Sequence, residues 1–240
     1  MSFRDAAADA SVSAIVPVHN GARFLAEALE SIACQTHPPL ETIVVDDGST
    51  DDTPAVLDRY AGSIRVIRQE QHGAAAARNV AVRLAQGRIL AFLDADDRWE
   101  PDKTRRQLAL LRNEPATEAV FGLARKFWES GAGPQVEKVP ARRSSTDLRG
   151  FLLGTLLIRA DSFRRVGPLD ESFEVGEFID WFSRAQHSGL RWRMLEEVVL
   201  HRRIHDSNQG IRKRLLYRRE YARALRLHLR RKPSDDDRKK

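Results

Sequence analysis

Short apolar runs alternate with segments of helical spacing along the first hundred residues. Val12-Ser-Ala-Ile-Val-Pro-Val18 has the pattern of a buried strand, with Pro17 near its end, where a missing backbone donor is tolerated. His19-Asn-Gly21 makes a turn, and Ala22 to Cys34 carries Phe24, Leu25, Ala28, Leu29 and Ile32 at helical spacing. Pro38-Pro39 separates this from a second strand, Glu41-Thr-Ile-Val-Val45, which runs into the polar stretch Asp46 to Thr53. Thr50 or Asp51 is placed to cap a helix through Tyr60. Ile64-Arg-Val-Ile67 predicts a third strand, Gln69 to Gly73 a loop, and Ala74 to Gln86 a helix closed by Gly87. Ile89 to Leu93 is a fourth strand, too short and too rich in Leu and Phe for a helix of its own. Beyond it the pattern predicts a helix from Trp99 to Arg112, with Leu108 and Leu111 inward, and a strand at Ala119-Val-Phe-Gly-Leu123. Ala160 to Val166 reads as a short helix, Gly176 opens another, and Val198-Val-Leu200 is a strand. Strands alternating with helices, each polar loop at a strand's C-terminal end, predict an α/β fold: a Rossmann-like, mostly parallel sheet flanked by helices. In such sheets ligands bind outside the carboxyl ends of the strands.

The fourth strand stops in Asp94-Ala-Asp96-Asp97. On an extended backbone Asp94 and Asp96 point to the same side, and like charges that close repel unless something positive lies between them. A hard divalent cation carrying phosphate oxygens is the natural partner, since Mg²⁺ takes one or two carboxylates and shares its other positions with substrate. The plainer reading has these acids start the next helix, with Asp97 or Asp102 near its N-terminus. The loops at His19-Asn20, Asp46-Asp47 and Asp94-Ala-Asp96 would converge at one end of the sheet. No G-x-G-x-x-G follows the first strand, and no G-x-x-x-x-G-K-[ST] occurs.

The chain has 240 residues, 42% of them hydrophobic, enough for one sizeable domain. The net charge of +6 is unevenly spread: residues 211–240 hold 13 Lys/Arg against 4 Asp/Glu, leaving 27 against 30 in residues 1–210. The basicity belongs to the C-terminal segment, and the rest gives no reason to expect nucleic-acid binding. A single cysteine, Cys34, excludes an intramolecular disulfide framework, and its place in an apolar helical pattern predicts a core thiol. Met1 to Ser11 is short and polar, unlike a signal peptide, and no stretch approaches the roughly 18 apolar residues of a membrane span. A cytoplasmic protein is the expectation.

Ile15-Val-Pro-Val-His-Asn20, Val44-Val-Asp-Asp-Gly-Ser-Thr50, Gly73 with Ala77-Arg78-Asn79, Gly87, and Phe92-Leu-Asp-Ala-Asp-Asp97 follow one another at characteristic spacing. Together they resemble the N-terminal half of the family-2 nucleotide-sugar glycosyltransferases of the GT-A fold. The likeness continues more loosely from Phe151 to about Gly210, through Gly167-Pro-Leu-Asp170 and Arg203-Ile-His205-Asp-Ser-Asn208.

The resemblance implies a metal-dependent, inverting transfer of a sugar from a nucleoside-diphosphate sugar, UDP before the others, to an acceptor hydroxyl. It implies that Pro17, His19, Asn20, Asp46 and Asp47 hold the base and ribose, His19 standing where the family often has a Tyr. Asp47 would accept from a base imide; otherwise it closes an Asx turn, with Gly48 supplying the unusual backbone angles. Arg78 would lie near the ribose or pyrophosphate. Asp94 would reach the ribose or the metal's waters, with Ala95 beside it in the donor site, and Asp96 would ligate Mg²⁺ or Mn²⁺ through the diphosphate, with His205 reaching the metal or diphosphate from a closing loop. The catalytic base falls to Glu177 at the start of its helix, with Asp180 in reserve, because Phe178 interrupts the family's Glu-Asp pair. The floor under the acceptor would come from Phe151 to Arg159.

The organisation expected is a flexible tail over 1–11, a GT-A domain over 12–210 (nucleotide half 12–102, acceptor half 103–210), a basic helix over 211–232 and a disordered tail over 233–240. Residues 129–147 read as a mobile loop or an insertion. In the basic helix Ile211, Leu215, Ala222, Leu225 and Leu229 form one apolar stripe, fit to pack on the domain, to form a homodimer, or to lie on an anionic membrane face. The interrupted Glu-Asp pair also admits a catalytically degenerate nucleotide-sugar binder or scaffold. A nucleotidyltransferase would need a Lys/Arg/Gly-rich N-terminal phosphate loop, which is absent.

Overall fold

The computed structural model describes residues 10–128, 147–206, 208 and 214–231. The expected tail through residue 9, residues 129–146 of the expected loop, Ile211 and the tail 233–240 lie outside the described residues.

All seven residues of β1 (Val12–Val18) are buried, as a strand covered on both faces requires. Alternation sends Val12, Ala14, Val16 and Val18 into one apolar cluster and Ile15 into the other. The first cluster is closed by α1 (Leu25–Ala33), α2 (Thr53–Asp58) and α4 (Lys103–Asn113), through Leu25, Leu29, Val56, Leu57, Leu108 and Leu111. The second is closed by α3 (Ala74–Leu84), α5 (Ala160–Val166) and α6 (Glu177–His187), through Ala77, Val82, Phe163, Phe178 and Trp181. Each fully buried Leu, Ile or Phe contributes about 1.5–3 kcal/mol, so the two clusters hold the sheet between them.

The sheet order is β3-β2-β1-β4-β7-β6-β8-β5. In its first half β2 (Glu41–Asp47) runs parallel to β1 and to β3 (Arg65–Gln69), and β4 (Ile89–Phe92) runs parallel to β1. Pro17 pairs with Val45 beyond the end of β4, whose register with β1 stops at Ile15–Phe92, so its missing donor costs no ladder bond on that side.

The second half departs from the alternation expected of it. β7 (Leu157–Arg159) is antiparallel to both β4 and β6 (Ala119–Trp128), while β8 (Trp192–Ile204) runs parallel to β6. Trp99, expected to open a helix, instead forms β5 with Arg98, antiparallel to Leu200 and His201 of β8. Its indole is buried and donates to the Phe92 carbonyl at 3.2 Å. The helix begins only after Pro101 and Asp102.

Gly87 does not close α3, which ends at Leu84 with Ala85 already extended. A Cβ at Gly87 would stand 2.6 Å from the Ser13 nitrogen and 2.9 Å from the Ser11 carbonyl oxygen, so glycine is needed for the close approach to β1. Cys34 is exposed rather than in the core, because the C-terminal end of α1 turns it outward.

The basic helix, α7 (Arg214–Arg231), packs on α6, but not through the stripe expected of it. Glu220 and Ala224 are buried, whereas Leu215, Leu225 and Leu229 are exposed. Polar and cation–π contacts set its rotation. His228 Nδ1 lies 2.8 Å from Ser183 Oγ, and Arg223 lies over the Phe173 ring at 4.2 Å and donates to Ser172 Oγ at 2.7 Å. No described helix is long and apolar enough to cross a membrane.

Candidate functional site

Three loops meet at the carboxyl end of the parallel strands. Asn20, at φ 51°, is the one described non-glycine residue with positive φ. Its Oδ1 accepts from the backbone of Thr50 at 2.7 Å and Asp51 at 3.3 Å, locking the β1 loop onto the β2 loop. Asp51 Oδ1 in turn accepts from the Thr53 backbone at 2.9 Å, just ahead of α2. His19 is exposed and lies 2.8 Å from the Asp47 carbonyl oxygen through Nδ1. A carbonyl only accepts, so Nδ1 carries the proton, and Nε2 is left to accept from Asn20 and Gln71 at 3.2 and 3.3 Å.

Asp46 and Asp47 are both buried and serve the loops. The Asx-type bond belongs to Asp46, whose Oδ1 accepts from the Ser49 backbone at 3.0 Å. Asp47 accepts from Gln69, from the backbone of His72 and from the backbone of Gly73, each at 2.8 Å. It therefore fixes the loop leading into α3. Gly48, at φ 71°, sits where a Cβ would come within 2.9 Å of the Gln71 nitrogen. Ala95 is half-buried and faces Gly21 of the first loop.

Arg78, on α3, is buried at the centre of the site. It donates to Asp94 Oδ1 at 2.5 Å and to Glu177 Oε1, so one guanidinium joins the acid loop after β4 to the first residue of α6. Asp180 is turned elsewhere: it is buried and pairs with Arg184 Nε at 3.0 Å. Asn79 holds the scaffold through the Leu169 loop, accepting from its nitrogen and donating to its carbonyl, both at 2.9 Å.

Carboxylate atoms of Asp94, Asp96 and Asp97 lie within 4.8 Å of one another. Burial, aided by the charges of Asp96 and Asp94, pushes the Asp97 carboxyl well above the usual carboxylate range. The end of β8 closes over this cluster. Asp97 Oδ1 accepts from the Arg203 backbone at 2.8 Å, and Asp96 Oδ2 lies 3.0 Å from His205 Nε2 and accepts from Asn208 Nδ2 at 3.1 Å. Arg203 donates to the Asp96 carbonyl at 3.0 Å and to Glu27 at 2.7 Å, with its guanidinium against the rings of Phe24 and Phe127.

A cleft of about 610 Å³ opens beside the cluster, and Arg78, Asp94, Asp97 and Glu177 line it. Phe151 to Gly154 form part of its wall, where the acceptor floor is expected, and Arg218 and Tyr221 of α7 complete it. Asn208, Asp97, Arg218 and Tyr221 join the site with no functional role expected of them from the sequence. The Arg-x-His-x-x-Asn spacing carried the signal for Asn208 and Arg203; nothing local marks Arg218 or Tyr221.

Residues 13–172 match the sequence profile described as glycosyl transferase family 2. A putative teichuronic acid biosynthesis glycosyltransferase of Bacillus subtilis, TuaG, is 43% identical over 155 residues, 62% of this chain and 62% of that protein. An uncharacterized glycosyltransferase of Rickettsia typhi is 28% identical over 207 residues, 82% of this chain and 64% of that protein. The chain thus spans less than two thirds of the length of either relative. Among solved structures, the mannosyltransferase PcManGT from Pyrobaculum calidifontis, in complex with GDP-Man and Mn²⁺, superposes with a TM-score of 0.71 at 22% identity. That superposition covers 94% of this chain and 66% of the other. S. aureus TarS 1-349 superposes with a TM-score of 0.67 at 22% identity over 80% of this chain and 60% of the other. Both share the mixed α/β GT-A architecture. The profile match runs over well more than half of the sequence, and the chain belongs to glycosyl transferase family 2.

Proposed function

We propose that this glycosyltransferase is metal-dependent and inverting, and moves a sugar from a nucleoside-diphosphate sugar to an acceptor hydroxyl. The observation that carries the reading is the Asp94–Arg78–Glu177 bridge, which puts a candidate base and the acid cluster on one cleft. The exposed edge of His19 with Gln71, framed by Pro17, Asn20, Asp46 and Asp47, offers a surface for the base and ribose. UDP comes first among the bases by motif, and UDP-bound and GDP-Man-bound relatives of the same fold support a diphosphate donor.

The donor set fits Mg²⁺ or Mn²⁺. Three clustered carboxylates, with Asp97 held well above the usual carboxylate range by burial and then by the charges of Asp96 and Asp94, make an oxygen-rich site whose repulsion a hard dication relieves. Asp96 is the proposed direct ligand, with Asp94 and Ala95 flanking the diphosphate and His205 either ligating or orienting Asp96. The bound ion would supply Lewis-acid neutralisation of the departing diphosphate. The chain's own residues do the remainder. Arg78 holds the Glu177 side chain at the cleft wall, and Glu177 takes the proton of the acceptor hydroxyl as that oxygen attacks C1 in line. Phe151 to Gly154 hold the acceptor against it.

A second reading, a nucleotide-sugar binder without turnover, is favoured by one observation. Glu177 already serves Arg78, and Asp180, the other carboxylate of the helix, is committed to Arg184. Release of nucleoside diphosphate from UDP- and GDP-sugars, measured against a panel of hydroxyl acceptors, separates the two. On the transferase reading Glu177→Gln keeps nucleotide affinity and lowers turnover by about 10²–10⁴-fold. Turnover unchanged in Glu177→Gln contradicts the assigned base, and wild-type binding with no turnover on any pairing favours the second reading.

A further inference from the structure

We propose that the outward face of α7 seats the chain on an anionic membrane surface. Four of the six large apolar side chains that are exposed among the described residues lie on this one helix: Leu215 at 81%, Tyr221 at 55%, Leu225 at 48% and Leu229 at 56%. Single exposed apolar residues are ordinary, but a cluster on one element marks an interaction surface. At about 100° per residue, Leu215, Leu225 and Leu229 share the side opposite Glu220 and Ala224, the positions buried against the domain. The exposure is therefore built in by the contacts that fix the helix's rotation, His228 with Ser183 and Arg223 with Phe173 and Ser172.

Charge selects the occupant. Arg218, Arg219 and Arg226 are exposed among these apolar side chains. The only acid of the helix, Glu220, is on the buried side and pairs with Arg223 at 3.2 Å. A face of leucine, tyrosine and arginine with no acid is the pattern of a helix lying in the headgroup layer, its arginines reaching phosphates while the apolar side chains enter the acyl boundary. A second copy is a poorer fit, because a two-fold interface puts the same patch on both sides and would oppose arginine to arginine. Arg218 and Tyr221 also line the cleft that holds Glu177, so this docking would bring the mouth of the cleft to the lipid surface. The proposal concerns the surface and stands whether or not the cleft transfers sugar.

Sedimentation of the full chain with phosphatidylcholine vesicles, with and without phosphatidylglycerol, tests it. The chain should sediment with the phosphatidylglycerol vesicles, not with phosphatidylcholine alone, and binding should weaken as salt rises. Leu225→Asp combined with Leu229→Asp should weaken binding by roughly tenfold or more, as should Arg219→Glu combined with Arg226→Glu. All four side chains are exposed, so both variants should melt as wild type does. Absence of binding to phosphatidylglycerol vesicles overturns the proposal, as does equal partition into both vesicle types by the wild-type chain. A concentration-dependent dimer lost in the Leu225/Leu229 variant, with no vesicle binding, gives the face to a second copy and overturns it too.

Discussion

Asp96 depends on its neighbours for orientation as much as on its own charge. Asn208 donates to Asp96 Oδ2 while its own Oδ1 accepts from the His205 backbone at 2.7 Å, so one amide holds both the acid and the loop that brings His205 to it. Partners of this kind fix a ligand's orientation, and losing them costs about 10–100-fold in metal affinity. Asn208→Ala should therefore weaken Mn²⁺-dependent nucleotide binding by about tenfold with little change in binding measured without Mn²⁺; titration calorimetry reads both. Lys103 shows a different residue-scale effect. Wholly buried, it donates to Gln107 Oε1 at 2.6 Å and approaches the carbonyls of Thr155 and Leu156, and burial lowers its pKa from 10.5 to about 7. In that window the unfolded chain binds a proton that the folded chain does not, so stability rises with pH from about 7 toward 10.5, by at most about 1.4 kcal/mol per pH unit. The stability of wild type relative to Lys103→Met should climb as pH goes from 7 to 9.5 in paired denaturant melts. A flat difference would show that Lys103 keeps an ordinary pKa.

At the level of elements, Gly87 is tied to packing between strands rather than to ending a helix. Gly87→Ala drives a methyl into the Ser13 and Ser11 backbone, where no side chain can swing away. A loss of about 1–3 kcal/mol follows, read as a lower urea midpoint at unchanged slope. By contrast Gly73, with open space around its Cβ position, is constrained by its φ of 94° alone. The contrast reflects what was legible in the sequence. β1, β2, β4 and the helices between them could be read because each buried strand is an apolar run and each helix shows its own periodicity. β8 could not, beyond Val198 to Leu200: its thirteen residues alternate with Arg, Glu and His, and only pairing with β6 and β5 makes them a strand. Trp99 has helical spacing but forms a strand for the same reason, since its partner Leu200 lies a hundred residues away. The stripe of α7 was visible, but its direction was not, because His228, Arg223 and Glu220 set the rotation through polar contacts that hydrophobic periodicity does not weigh.

For the molecule as a whole, the β4–β7 ladder joins the two halves of the sheet, and two arginines tie them again at the site. Arg78 joins the parallel half to α6, and Arg203 joins β8 to both the Asp96 loop and Glu27 of α1. The motif residues mark the loops that line the cleft, but the pairing of Glu177 with Arg78 and the turning of Asp180 onto Arg184 emerge only from the folded arrangement. On the proposed function, this acid cluster binds a nucleoside diphosphate through a divalent cation. The most direct measurement is the melting temperature of wild type and Asp96→Asn with UDP, GDP or dTDP, each with and without Mn²⁺. A ligand that binds only the folded chain stabilises it by about 2.7 kcal/mol at 100 times its dissociation constant. A rise for one nucleotide that requires Mn²⁺ and disappears in Asp96→Asn is the predicted result. A rise that is independent of Mn²⁺, or that survives intact in Asp96→Asn, would contradict it, as would no rise with any of the three.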